Sequence, residues 1–287
     1  MKTRELLLAL LVPLTWALGF TVAKAALDEF PTLLLMSMRF FIAGLILIWF
    51  VPIPRHCLKD LFWISLVGST IQYGLTFTGL SMIDASLGGI IVQLEVPFSV
   101  LLAVIFFRER PGLLRIIGMT ISFIGVVLIA GRPGLSSHLE GILLTASGAL
   151  VWAVGQIMYK RISSQINGLT GIAWIGVIAA PQMLIGSMIF ETGQVDALMN
   201  ASWVGWTSVV YLGLIMTVVG YGIWFTVLSR NPVSHVMPVL LVLPVFTVLF
   251  SVILLGERPS LEVLLGGVTI LAGVSLIVFS KSNTRST

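Results

Sequence analysis

Two residues that could carry charge chemistry lie inside apolar stretches of the chain. Glu95 lies within GGIIVQLEVPFSV, Gly88 to Val100, and Arg39 lies in the apolar segment LLLMSMRFFIAGL. A carboxylate in such surroundings can bind a proton, a substrate or an arginine. For each of these roles, the surrounding segments must hold the carboxylate in a suitable position. The first question is therefore what those segments are.

The composition is that of a membrane protein. Of the 287 residues, 57% are hydrophobic and 10% are charged, against roughly a quarter charged in a soluble domain. Apolar runs of about twenty residues recur along the chain, and each can cross a hydrocarbon core of roughly 30 Å as a helix. The runs are continuous rather than alternating, which excludes barrel strands. The fold class predicted is an all-α membrane protein without a separate soluble domain.

The hydrophobic pattern predicts ten transmembrane helices. They are placed at Leu6–Ala26, Pro31–Val51, Leu61–Met82, Ala85–Phe107, Gly112–Gly131, Leu139–Lys160, Leu169–Phe190, Trp203–Leu228, Pro232–Leu255 and Leu261–Ser280.

The loop charges predict the orientation of these helices. With a cytoplasmic N-terminus, the inner side receives Lys2, Arg4, Arg55, Lys59, Arg108, Arg110, Arg115, Lys160, Arg161, Arg230, Lys281 and Arg285. The outer side receives only Arg132 and Arg258. Because cytoplasmic loops are enriched in lysine and arginine, both termini are predicted to lie in the cytoplasm.

The two halves of the chain resemble each other. WALGFTVAK, Trp16 to Lys24, matches WAVGQIMYK, Trp152 to Lys160. Further matches are Tyr73-Gly74 with Tyr221-Gly222, the two ERP turns at Glu109 and Glu257, and Gly118 and Gly125 with Gly266 and Gly273. Five spans per copy is an odd number, so the second copy must enter the membrane from the opposite side, as in many secondary transporters. The predicted repeats are residues 1–132 and 139–281.

Arg39 and Glu95 are predicted to lie at similar depth. Arg39 is roughly 12 Å along its helix from Pro31, and Glu95 is about 15 Å from Ala85. A lone charge at this depth costs about 2.5–3.5 kcal/mol on insertion scales, so the two side chains are expected to pair in at least one conformation. The pair would either lock the fold, or release a carboxylate that carries protons across the membrane.

Other polar and aromatic residues occur at depths suited to a substrate cavity. Besides Glu95 and Arg39, the candidates for substrate binding or coupling are Gln93, Gln72, Tyr73, Trp16, Trp152, Gln156, Tyr221 and Trp224. Packing or an interfacial position explains any single one of them as well as substrate contact does. Pro97 and Pro244 occupy near-equivalent places in the two copies, where each removes a backbone hydrogen bond, and they are predicted as hinges.

Four motifs together resemble the EamA family of the drug/metabolite transporter superfamily. They are W-x-x-G-x-x-x-x-K, the Arg39-Phe40 pair, the two ERP turns, and the G-x6-G run after each turn. The resemblance implies a ten-helix carrier that exports amino acids or related metabolites. Three stretches, LALLVPLTWALGF, VWAVGQIMYKRI and VVGYGIWFTVLSR, are similar to a cysteine and O-acetylserine exporter of that family. Glu95 is not implied by the resemblance.

Other functional classes fit less well. The sequence contains no H-E-x-x-H or G-x-S-x-G motif, either of which would indicate an enzyme. No predicted span repeats polar residues along one face, as the pore-lining helix of a channel would. Cys57 is the only cysteine, so a disulfide or cysteine-based metal site within the chain is excluded; no metal or cofactor is predicted. The basic residues are scattered through short loops rather than collected on one face, which argues against binding of nucleic acid.

The hypothesis is a proton-coupled secondary transporter in the bacterial inner (plasma) membrane. Its partners would be a small-molecule substrate and membrane lipid, and a monomer is compatible with the sequence. The alternative is proton-coupled efflux of lipophilic cations, which one buried carboxylate and several aromatic rings would also suit.

Overall fold

The computed structural model describes residues 3–107, 112–130, 138–231 and 236–280, and every regular element within these ranges is helical. The predicted all-helical architecture is thus confirmed. Eight helices in the described ranges are long and apolar enough to cross a membrane, and Leu113–Ile129 is a shorter apolar helix. The ERP turn at Glu109 and the residues Arg108, Arg110, Arg132, Pro232 and Lys281 lie outside the described residues.

The helices follow the predicted spans closely. In chain order they are α1 (Thr3–Leu27), α2 (Thr32–Leu47), α3 (Leu58–Ser65), α4 (Gln72–Met82), α5 (Ala85–Ile91), α6 (Glu95–Phe107), α7 (Leu113–Ala130), α8 (Leu139–Lys160), α9 (Gly168–Phe190), α10 (Gln194–Asn200), α11 (Trp203–Val210), α12 (Gly220–Arg230), α13 (Leu243–Leu255) and α14 (Leu261–Phe279). The third predicted span begins at Leu58 rather than Leu61, and the short α10 lies between two predicted spans.

Two of the long helical segments contain a π-helical stretch. Leu66–Ile71 joins α3 to α4, and Tyr211–Val219 joins α11 to α12. Each stretch ends just before the matched Tyr-Gly pair, Tyr73-Gly74 or Tyr221-Gly222, so the irregularity recurs at the same place in both halves. π-Helical turns are rare and are frequent at functional sites, and nothing in the apolar pattern had indicated them.

The two predicted hinge prolines lie directly after 3₁₀ turns. Val92–Leu94 separates α5 from α6, and Met237–Val242 precedes α13. Pro97 and Pro244 fall within the first three residues of α6 and α13. A proline is tolerated in the first turn of a helix because the N–H that it lacks has no intrahelical acceptor there.

The most extensive helix contacts join the two halves of the sequence. α2 packs on α9, α4 on α8, α7 on α14, and α1 on α12 and α13. Glycines permit the close approach: a Cβ atom on Gly44 would lie 2.8 Å from the Val177 nitrogen, and one on Gly79 would lie 2.6 Å from the Gly141 carbonyl oxygen. Small residues have this role in membrane helix packing because they let two backbones meet.

Three glutamates near the predicted outer face bind the starts of helices from the other half. The Glu191 carboxylate accepts from the Leu33 and Leu34 amides at 2.7 and 3.3 Å. The Glu257 carboxylate accepts from the Ala85 and Ser86 amides at 2.6 and 3.0 Å. The Glu29 carboxylate accepts from the Ser202 amide and hydroxyl at 2.5 and 2.7 Å. A carboxylate at a helix N-terminus satisfies free amides and interacts favourably with the helix dipole. These contacts hold the halves together at this face.

Asp84 lies directly before α5, and its ionised form is disfavoured by its surroundings. Desolvation raises the pKa of Asp84, repulsion by Glu257 raises it further, and Lys24 and His138 act in the opposite direction. A carboxyl group with a raised folded-state pKa contributes stability at low pH and loses that contribution as the pH rises through the folded-state pKa.

We therefore expect Asp84→Asn to stabilise the protein at pH 7, because asparagine also suits the position before a helix but carries no charge. Since Asp84 is largely exposed, solvent screening limits the gain to about 0.5 kcal/mol. Thermal unfolding in detergent measures it, and the gain should shrink as the pH falls towards 4. Asp196→Asn, at an exposed site in α10, is the matched control and should not be stabilised at pH 7. A loss of stability at pH 7 would contradict this account.

Candidate functional site

Arg39 is the largest fully buried side chain of the described residues, with 1% of its surface exposed. Its Nε donates to the Thr217 hydroxyl at 3.0 Å, and its Nη2 donates to the Tyr73 hydroxyl at 3.5 Å. The guanidinium carbon lies 4.9 Å from the ring centre of Tyr73 and 5.5 Å from that of Phe40. Nη1 has no hydrogen-bond partner. Neutral hydroxyls and aromatic faces therefore surround the cation.

Aromatic rings from both halves lie beside these residues. We refer to the whole set as the Arg39 cluster, and its members are Arg39, Phe40, Tyr73, Thr217, Trp16, Tyr221 and Trp224. The Trp16 Nε1 donates to the Met216 carbonyl at 3.2 Å, and the Trp16 ring lies 4.9 Å from Tyr221 and 6.0 Å from Trp224. A Cβ atom on Gly220 would lie 2.7 Å from the Trp16 Nε1, so only glycine allows the indole to sit against the end of the π-helical stretch. Rings of this kind can face a cation or pack on an apolar group.

Glu95 begins α6 and is half-buried. The predicted ion pair with Arg39 is not formed in this conformation, since Arg39 bonds Thr217 and Tyr73 instead. The tertiary structure thus leaves the Glu95 carboxylate without the arginine partner that the sequence predicted.

The other predicted residues divide into two groups. Gln72 is buried, donates from Nε2 to the Thr76 hydroxyl at 3.0 Å, and leaves Oε1 without a partner. Gln93 is buried in the 3₁₀ turn before Glu95. Trp152 is half-buried and Gln156 is exposed on α8, and neither has a hydrogen bond or ring contact with the Arg39 cluster. The structure therefore places Trp16 in the cluster but not its sequence equivalent Trp152.

Sequence reasoning missed two members of the cluster. Thr217 accepts from Arg39 and donates to the Leu212 carbonyl at 2.8 Å, across the wider turn of the π-helical stretch. Phe40 was noted only as part of a motif. A hydroxyl in the otherwise apolar run LIMTVV was the available signal for Thr217. Among the described residues, no group of three or more His, Cys, Asp and Glu side chains could hold a metal ion.

Comparison with known families gives a match in each half of the chain. The model of the EamA-like transporter family matches residues 3–131 and matches again at residues 139–279. Together these two stretches include every residue of the Arg39 cluster and Glu95.

Known proteins similar to the chain are named as transporters. It is 30% identical to a probable amino-acid metabolite efflux pump of Salmonella typhimurium, over 97% of this chain and 96% of that protein. It is 27% identical to a probable terminal-alkyne amino-acid exporter of Streptantibioticus cattleyicolor, over 93% and 91% of the two chains. A crystal structure with 19% identity superposes with a TM-score of 0.64 over 96% of this chain and 98% of its own, which shows a shared fold.

Proposed function

Because the chain belongs to the EamA-like transporter family, we propose that it is a secondary transporter that exports amino acids or related small metabolites. Membership makes it a multi-pass membrane transporter rather than an enzyme. The observation that carries the proposal is the buried Arg39 cation, which has an unpartnered nitrogen, lies against the rings of Phe40 and Tyr73 from the first half, and donates to Thr217 from the second half. Polar groups buried at this depth mark substrate or ion pathways in membrane proteins.

The proposed architecture is ten transmembrane helices in two inverted repeats, residues 1–132 and 139–281. Three observations support it. The family model matches twice, π-helical stretches precede the Tyr-Gly pair in both halves, and 3₁₀ turns precede both Pro97 and Pro244. Irregular backbone at matching places in two repeats is where such transporters bind their substrates. Pro97 and Pro244 are the proposed hinges.

The orientation can be tested on the two ends of α9. We expect a membrane-impermeant maleimide to label Thr192→Cys on intact cells but to label Ser164→Cys only after the cells are opened. The reason is that the loop containing Ser164 also carries Lys160 and Arg161, and the positive-inside rule predicts that this loop is cytoplasmic. Both positions are exposed. The background is Cys57→Ser, although burial raises the pKa of the Cys57 thiol and already slows its reaction. Labelling in the reverse pattern would overturn the proposed topology.

Transport itself is tested in proteoliposomes. Vesicles containing the purified protein are loaded with one labelled amino acid at a time, with O-acetylserine included, and efflux is followed with and without a pH gradient. The proposal predicts efflux of at least one of these compounds above that of protein-free vesicles. If none moves while lipophilic cations do, efflux of lipophilic cations is the function instead.

A further inference from the structure

A groove lies on the surface of the α7–α14 pair, apart from the Arg39 cluster. Its volume is about 380 Å³, which is within the range of ligand sites in proteins. The lining residues are Leu114, Ala272, Ser275, Leu276, Phe279 and Ser280. Leu114 has 54% of its surface exposed and Phe279 has 67%, so the groove opens to the surroundings of the helix pair rather than to the protein interior.

The sequence of α14 forms most of this groove. Ala272, Ser275, Leu276 and Phe279 occur at i, i+3, i+4 and i+7, so they share one face of the helix. The two small residues, Ala272 and Ser275, leave room beside the larger side chains of that face. Leu114 belongs to α7, so both helices contribute to an apolar hollow that is wide enough to hold a flexible hydrocarbon chain.

Arg115 lies at one end of the groove. Its Nε donates to the hydroxyl of Ser280, a lining residue, at 3.1 Å. The Arg115 side chain is half-buried, and no described residue accepts a hydrogen bond from its Nη1 or Nη2. The loop charges predict that this end of α7 and α14 is cytoplasmic, at the level of the lipid headgroups of the inner leaflet. The guanidinium therefore offers two donors where a phosphate would accept both.

Two other occupants match the groove less well than a lipid does. The residues that follow Ser280 have the sequence KSNTRST, which is polar and basic, so they complement neither the apolar walls nor the charge of Arg115. A second copy of the chain, packed on this face by twofold symmetry, would bring its own Arg115 close to this one, and like charges repel. An anionic lipid complements both the apolar walls and the arginine.

We propose that an anionic phospholipid of the inner leaflet binds here, with its phosphate on Arg115 and one acyl chain in the groove. Basic sites between membrane helices at the cytoplasmic side are known to hold such headgroups. Val263 is the residue that matches Arg115 in the second half of the sequence, so the repeat does not reproduce this site at the outer face. Lipid binding at this site does not depend on which solute the protein exports.

Native mass spectrometry of the purified, delipidated protein measures lipid binding directly. Phosphatidylglycerol and phosphatidylcholine are compared with identical palmitoyl and oleoyl chains, so that only the headgroup and its charge differ. We expect phosphatidylglycerol to bind about fivefold or more tightly, which is the factor that one arginine near a membrane surface contributes. Glycerol 3-phosphate, which carries the phosphate without the chains, should not displace phosphatidylglycerol at equal concentration.

Two variants assign the headgroup and the chain to their parts of the site. Arg115→Gln should bind the two lipids equally, because it removes the charge that distinguishes them. Arg55→Gln is the matched control, since Arg55 is exposed on the same predicted face and does not line the groove, and it should keep the preference. Ala272→Phe fills the groove and should weaken both lipids by about tenfold, the factor for uncovering two methylene groups.

Several results would overturn the lipid site. They are equal binding of both lipids by the wild type, an unchanged preference in Arg115→Gln, and displacement of the lipid by glycerol 3-phosphate. A mass of two protein copies that Ala272→Phe reduces to one would show that the groove is a dimer interface instead. If Arg115→Gln does not fold, Ala272→Phe decides, because undiminished lipid binding there contradicts a chain in the groove. None of these measurements uses a transported solute, so failure of the export proposal leaves them valid.

Discussion

Export by Glu95→Gln will lose its dependence on the pH gradient, and we expect gradient-driven efflux to fall to the level of protein-free vesicles. Glutamine has nearly the same shape and can still accept a hydrogen bond, but it cannot take up or release a proton. Glu95 is the candidate because it lies well inside the Ala85–Phe106 span, whereas Glu5, Glu140 and Glu262 lie in the first turns of their helices. Its carboxylate has no hydrogen-bond donor among the described residues. Acidic residues within membrane-spanning helices commonly mark proton relays in pumps and transporters.

The measurement is efflux from proteoliposomes over a series of imposed pH gradients. Glu140→Gln, at an exposed position at the start of α8, is the matched control and should behave as the wild type. An unchanged rate and unchanged gradient dependence in Glu95→Gln would rule out the proton role.

Gly118→Leu will remove much of the stability of the protein. A Cβ atom on Gly118 would lie 2.6 Å from the Gly273 carbonyl oxygen, and the reciprocal atom on Gly273 would lie 2.4 Å from the Gly118 carbonyl oxygen. The obstacle on each side is backbone, which cannot rotate away as a side chain can. Extra atoms in a packed interior cost about 1–3 kcal/mol, and the rigid α7–α14 contact should place this variant at or above the upper end of that range.

Thermal unfolding and size-exclusion profiles in detergent measure the effect. Gly112→Leu is the control: Gly112 lies just before α7, and no atom of the described residues lies within 4 Å of a Cβ atom placed there. It should melt within a few degrees of the wild type. Similar melting temperatures for the two leucine variants would mean that α7 and α14 do not pack closely in the membrane.

Several features could be predicted from the sequence because they depend on local chemistry alone. Apolar length determines which segments can cross a membrane, and glycine spacing marks the faces where helices can approach, as α7 and α14 do at Gly118 and Gly273. Charge within such segments is rare enough that Arg39 and Glu95 stand out without any structure. These signals need only the identity of a residue and its neighbours along the chain.

The partners of those residues were decided by the tertiary structure. Depth along a helix is one coordinate, but the direction in which a side chain points depends on how the helix is rotated against its neighbours. Arg39 lies within the predicted helix, yet it faces Thr217 and Tyr73 rather than Glu95. The two π-helical stretches change that rotation midway along a helix, and they leave no trace in hydrophobic periodicity. For the same reason, Trp16 joins the cluster whereas its sequence equivalent Trp152 does not.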